Sequence, residues 1–323
     1  CLAWYAQGET FLHWLFASQH TMIEVMREPR LANSLLFPDG ESSVSEALYQ
    51  RNKLADYLGH IAATLLQAAV QKNQQPQVLE IGAGIGGLTA STLPAFNAAG
   101  TGHYYHTDVS PWFSRYAEQR FGQYSALRTG RYDINHPLDE QGWQPAGFVA
   151  VLAANVLHNA HRLDATLSDI WRLLKPGGAL IVLEATQDKA LQWVTAAAVL
   201  EQAAEDHSQQ DSPLLARDVW HQAFQRNGFV EVGEWPQAGK PLSFAGQQVF
   251  MVRRPAGATD EMTLQTCIQQ HLPSYMLPEQ LIFVPRISLS VNGKHDLSAL
   301  PRPTFVQEEK QSAAGRPLAP AET

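Results

Sequence analysis

A histidine and a glutamate that each close an apolar run can share a proton. His158 follows the run Phe148 to Ala153, and Glu184 follows Ala179 to Leu183. If the two runs are neighbouring parallel strands, both side chains lie at the carboxyl edge of an open sheet, where ligands bind. A histidine of ordinary basicity is neutral often enough near neutral pH to take a proton. A carboxylate beside it fixes its tautomer and stabilises the imidazolium. The pair therefore reads as a base and its orienter. The plainer alternative has His158 bonded to a backbone carbonyl and Glu184 capping the next helix. His161 is expected to face solvent. His103 and His106, an odd number of residues apart on one strand, are expected to point to opposite faces and to share no metal.

A second segment suggests ligand binding. In Glu80-Ile81-Gly82-Ala83-Gly84-Ile85-Gly86-Gly87 the glycines let the backbone approach a ligand, and the helix they open offers free N–H groups to it. Asp108 lies about 20 residues further on, at the end of the next predicted strand, placed to accept hydrogen bonds from ribose hydroxyls. Gly82, Gly84 and Gly87 also satisfy the dinucleotide pattern, so a nicotinamide enzyme could own this loop, and glycines that only pack strand against helix are the structural alternative.

These residues need a sheet to hold them. Apolar runs at Val78 to Ile81, His103 to Val109, Phe148 to Ala153 and Ala179 to Leu183 alternate with helical segments at Leu88 to Phe96, Trp112 to Phe121 and Leu163 to Leu174. That alternation predicts an α/β, Rossmann-like, doubly wound sheet over residues 76–253. A helix over Ala216 to Asn227 and strands at Phe229 to Val232 and Gln247 to Val252 predict a closing antiparallel hairpin. Residues 1–75 read as a helical lid region, with Trp4, Phe11, Trp14 and Leu15, and later Leu54, Leu58, Ile61, Leu65 and Ala69, at helical spacing. Residues 254–263 read as a polar linker, 264–305 as a small second unit and 306–323 as a disordered tail. The absence of an initiator Met is read as a start within a longer or processed polypeptide.

The 323 residues carry 23 Lys plus Arg against 31 Asp plus Glu, a net charge of −8, with 45% apolar residues. An acidic chain without a basic run lacks the footprint of a nucleic-acid binder. Its apolar runs are far shorter than the ~20 residues that cross a bilayer. Two cysteines, Cys1 and Cys267, are too few for a disulfide framework and fit the cytoplasm.

Five segments in order, Leu36 to Gly40, Leu79 to Gly87, Thr107 to Pro111, Ala154 to His158 and Leu174 to Gly178, resemble the motifs of class I S-adenosylmethionine (SAM) methyltransferase domains embedded in polyketide and nonribosomal peptide synthetases. Glu80 before the first glycine and the terminal hairpin agree with that family and disfavour a nicotinamide enzyme. The resemblance covers residues 36–253 and implies SAM contacts at Glu80, Gly82, Gly84, Gly86, Asp108 and Asp133. It also implies a His158–Glu184 base pair like that of the carbon-methylating members.

Leu272 to Pro278, Val291 to Lys294 and Leu300 to Pro303 resemble the last motifs of adenylation domains, with Lys294 at the position of the lysine that acts on the acyl-adenylate. His295-Asp296-Leu297 departs from the usual sequence after it. A methyltransferase-like unit just before those motifs resembles the cysteine-activating modules of siderophore synthetases such as those of yersiniabactin and pyochelin. The implied partners are an adenylation core and a peptidyl carrier protein of the same synthetase, the carrier bringing a phosphopantetheine-tethered cysteinyl or thiazolinyl thioester. No membrane or nucleic-acid partner is implied. Ile85 and Leu88 stand where working family members carry Thr, and on that ground the sequence favours a Cα epimerase. An active carbon or nitrogen methyltransferase and an inactive spacer remain open. In the intact synthetase, Lys294→Ala is expected to abolish cysteinyl-adenylate formation and to spare the inserted domain's action on preloaded substrate; equal loss of both activities would contradict the separation into two units.

Overall fold

The computed structural model describes residues 40–187, 214–240 and 242–257, together with Leu36, Phe37 and scattered positions near residue 13 and between 264 and 300. Trp4, Trp14, Lys294 and the tail after 305 lie outside the described residues.

Seven strands form one sheet in the order β3-β2-β1-β4-β5-β7-β6. They are β1 (Gln77–Ile81), β2 (His103–Thr107), β3 (Leu127–Gly130), β4 (Phe148–Ala154), β5 (Leu174–Ala185), β6 (Val230–Trp235) and β7 (Gln247–Arg253). Strands β1 to β5 pair in parallel, and β7 runs antiparallel to both β5 and β6. The predicted closing hairpin is therefore present, with β7 inserted inside β6.

Two strands differ from the sequence reading. β3 has only Leu127-Arg128-Thr129-Gly130, an edge strand with no apolar run to announce it. β5 starts at Leu174, so Lys175-Pro176-Gly177-Gly178, expected as a helix stop followed by a loop, lies within the strand. The register against β4 jumps between Phe148 and Ala150 there, and a bulge accommodates the proline, which cannot donate to a ladder.

Six described helices cover the sheet: α1 (Ser43–Tyr49), α2 (Lys53–Val70), α3 (Thr89–Ala98), α4 (Pro111–Phe121), α5 (Leu163–Leu173) and α6 (Arg217–Arg226). On one face Leu58, Leu66, Leu93 and Phe121 bury against Val78, Leu152, Ile181 and Met251. On the other, Leu167, Ile170, Trp220 and Phe224 meet Val151, Leu180, Val182 and Phe250. Asn52 caps α2, its side chain accepting a hydrogen bond from the Ala55 amide.

Within residues 1–75, expected as a helical lid region, α2 packs against the sheet. Leu58, Ala62, Leu66 and Val70 are buried in the sheet's core; of the expected stripe Leu58 is thus in the core, and Leu54, Ile61, Leu65 and Ala69 lie at its margin. This helix is a structural layer. Arg254, expected to open the polar linker, is also buried: its guanidinium lies 3.9 Å from the centre of the Trp171 ring and donates to the Leu174 carbonyl at 2.6 Å. Stacking and a charge-assisted hydrogen bond hold it there. Among the described residues no helix is long and apolar enough to cross a membrane.

If α2 is a layer of the core, Leu66→Ala should lower unfolding stability by about 2–5 kcal/mol in urea titration. A loss within about 0.5 kcal/mol, the size typical of a surface position, would restore the lid reading.

Candidate active site

β4 and β5 place the proton-transfer pair. Their register sets Ala154 beside Leu183, so the chain leaving β4 passes the end of β5, where Glu184 is fully buried. Asn155 turns the chain with φ +49°, and its amide donates to the Leu183 carbonyl at 2.7 Å. The turn directs the amides of Val156 and Leu157 at Glu184 Oε1, at 3.0 and 2.9 Å. Glu184 Oε2 lies 2.7 Å from His158 Nδ1. The carboxylate holds three donors, which orients the ring with Nδ1–H toward Glu184 and leaves Nε2 as the acceptor. Burial alone would lower the His158 pKa; the charge of Glu184 and the hydrogen bond to it outweigh this and raise it above the ordinary 6.5. His161 is exposed just before α5.

The glycine loop connects β1 to α3. A methyl on Gly82 would overlap Val156, and one on Gly86 would strike the Phe121 ring, so packing alone requires glycine at both. Gly84 differs. Its φ is +55° and the space where a Cβ would stand is open within 4 Å, which is the approach a ligand requires. Its amide donates to Asp108 Oδ2, and the Ser110 amide donates to Oδ1, both at 3.0 Å. Burial raises the Asp108 carboxyl. Asp133 follows β3; its carboxylate accepts from the Asn135 amide, and its backbone is held by Gln141.

Glu80 is buried beneath the loop. Its Oε2 accepts hydrogen bonds from Thr89 Oγ1 at 2.6 Å and the Tyr104 hydroxyl at 2.5 Å, and its Oε1 is buried without a partner among the described residues. Burial pushes its carboxyl up to about 7, against the pull of those hydrogen bonds. Thr89 has one proton and gives it to Glu80, so the 3.0 Å contact between Thr89 Oγ1 and His106 Nδ1 makes His106 the donor. Burial pushes His106 down to about 4, so it stays neutral. The sequence reading missed Thr89 and Tyr104 and gave His106 no such role. Only the β1–β2 register, which aligns Glu80 with His106, brings them together. It also missed Gln50, which donates to the Ile85 carbonyl at 3.0 Å, and Asn159 Oδ1, Thr186 Oγ1 and Gln248 Oε1, buried without a partner among the described residues.

An open glycine loop, a carboxylate at the end of β2, and a buried acceptor under the helix N-terminus fit SAM, whose ribose hydroxyls and ammonium group are donors. Leu88 belongs to the hydrophobic core with α2 and α3, and Ile85 is buried. Both positions on which the sequence based its preference for an epimerase are thus filled by buried apolar side chains. Among the described residues no cluster suits a metal ion.

Residues 79–180 match the sequence profile of a family described as a methyltransferase domain. The solved structures of the CurJ and DszA carbon methyltransferases superpose with TM-scores of 0.67 and 0.68. They are 28% and 27% identical, over 76% and 77% of this chain and 66% and 67% of theirs. The fold is that of a class I SAM methyltransferase. Among curated proteins, pyochelin synthetase PchF of Pseudomonas aeruginosa is 27% identical over 276 residues, and polyketide synthase PksR of Bacillus subtilis 30% over 240. These matches take in 83% and 70% of this chain, but the chain spans only 15% and 9% of the length of those synthetases. The chain is thus similar to parts of these synthetases, with a methyltransferase-type domain at residues 79–180.

A histidine whose folded pKa is raised contributes stability that is complete below its unfolded value, 6.5, and is lost as pH rises through the folded value. In an NMR titration His158 should therefore change protonation above 6.5 in the native protein. Glu184→Gln, which removes the charge opposing burial, should bring the midpoint below 6.5. A midpoint that does not move would refute the coupling.

Proposed function

We propose that this domain removes the Cα proton of an acyl group held as a carrier-bound thioester and acts with SAM as a carbon methyltransferase within a synthetase of the nonribosomal-peptide or polyketide type. The observation that carries the reading is the 2.7 Å contact between His158 Nδ1 and Glu184 Oε2 at the carboxyl edge, the same edge as the open glycine loop after β1. His158 Nε2 accepts the proton. Glu184 stabilises the resulting imidazolium and, being held by two backbone amides, does not reorient as the charge forms. Asp108 is placed to hold ribose hydroxyls, and Glu80 to receive a donor on its unpartnered Oε1. When bound, SAM supplies an electrophilic methyl group for the carbanion. The likeness to pyochelin synthetase supports a cysteinyl or thiazolinyl acyl group, an adenylation core and a carrier protein in the same chain.

A second reading, Cα epimerisation without a methyl donor, uses the same base. It is favoured by Asp108, both of whose carboxylate oxygens already take loop amides. An inactive spacer is disfavoured by a base pair kept buried and fully oriented.

The test incubates the protein with a carrier-bound cysteinyl thioester in deuterated solvent, with and without isotopically labelled SAM. His158→Ala should cut Cα exchange by about 10²-fold or more, as expected for loss of a general base; a folded variant that exchanges at the native rate would remove the base assignment. A product heavier by one labelled methyl supports methyl transfer. An inverted product of unchanged mass, formed equally well without SAM, assigns the domain to the epimerases.

A further inference from the structure

We propose that Thr186 and Gln248 receive the acyl carbonyl oxygen of the substrate and stabilise the charge it takes on as Cα loses its proton. The inference rests on the reading of this site as a place of Cα deprotonation, and it adds the donors that such a step needs.

Gln248 is the ladder neighbour of Glu184 across the β5–β7 pair, and Thr186 is two residues beyond Glu184 in the chain. Side chains alternate along a strand, so all three lie on one face of the sheet. It is the face whose core holds Leu180, Val182 and Phe250, and His158 is bonded to Glu184 there. Thr186 is 6% exposed and Gln248 3%, yet Thr186 Oγ1 and Gln248 Oε1 have no hydrogen-bond partner among the described residues. Buried polar groups are ordinarily paired, and leaving them unpaired costs stability. Two such groups beside a buried base pair are accounted for by a substrate atom that supplies the missing partner.

The chemistry identifies that atom. As the proton passes from Cα to His158 Nε2, the C–H electron pair becomes a carbon–carbon π bond and the carbonyl π pair moves to oxygen, leaving an enolate. That oxygen becomes an anion in a site already holding the Glu184 carboxylate, so neutral donors must stand around it. The Thr186 hydroxyl donates directly. The Gln248 amide presents N–H in place of C=O by turning its terminal group through 180°.

Thr186→Val and Gln248→Leu remove the polar atoms at nearly constant volume. With S-propionyl pantetheine as the probe, each should lower the rate constant for Cα deuterium exchange by about 10–10²-fold, weaken its binding by no more than about tenfold, as for one neutral hydrogen bond, and leave the NMR titration midpoint of His158 where it is in the native protein. Undiminished exchange in both variants overturns the proposal. So does a loss accompanied by a shifted His158 midpoint, because the residues would then only prop the base. If the native protein itself exchanges no Cα proton, the function proposed above fails, and calorimetry of propionyl-pantetheine binding decides this inference separately. Weaker binding by both variants upholds the carbonyl contact, and equal binding removes it.

Discussion

The buried carboxylate of Glu184 is the constraint on which the active edge depends. Among the described residues no Lys or Arg pairs with it; it is held by two backbone amides and one imidazole. A carboxylate taken fully out of water is tolerated only when its lone pairs are met. That requirement dictates the local structure. Asn155 must adopt its positive φ for the next two amides to converge on one oxygen, and β4 and β5 must keep their register for the turn to reach Glu184. Gly82 must lack a side chain because Val156, carried by the same turn, occupies the space. The glycine loop and the proton-transfer pair are thus joined mechanically through one valine.

The two faces of the sheet do different work at this edge. On the face of α5 and α6, His158 is hydrogen-bonded to the buried Glu184. On the face of α2, α3 and α4, Glu80, Tyr104, Thr89 and His106 form a buried network under the N-terminus of α3. This network contains a carboxyl that burial pushes up to about 7 and a histidine that burial pushes down to about 4. Gln50, from the segment before the sheet, holds the loop from above through the Ile85 carbonyl.

Much of this was legible in the sequence because the parallel strands are buried on both faces and read as continuous apolar runs. The strand ends placed His158 and Glu184 beside each other, and the glycines marked the ligand loop. What the sequence hid depends on register and depth. β3 is a polar edge strand. The partnership of Glu80 with His106 needs the β1–β2 alignment, which alternation does not reveal. Leu88 was read as a missing hydroxyl, although an apolar residue one turn from Thr92 at the start of a helix is equally a core residue, and the structure packs it as one. Gln248 stands beside Glu184 only because β7 entered the sheet antiparallel, next to β5.

That reversed strand also decides where the chain goes next. β7 begins beside the active edge, with Gln247 opposite Ala185, and ends at Arg253 opposite Ala179. Its 7 residues carry the backbone roughly 20 Å to the far pole of the sheet at about 3.3 Å each. Arg254 is fastened there over Trp171, and Phe283 packs against the same core. The outgoing polypeptide is thus anchored at the pole opposite the cleft. The chain that follows β7 therefore leaves the sheet a full strand's length from Glu184.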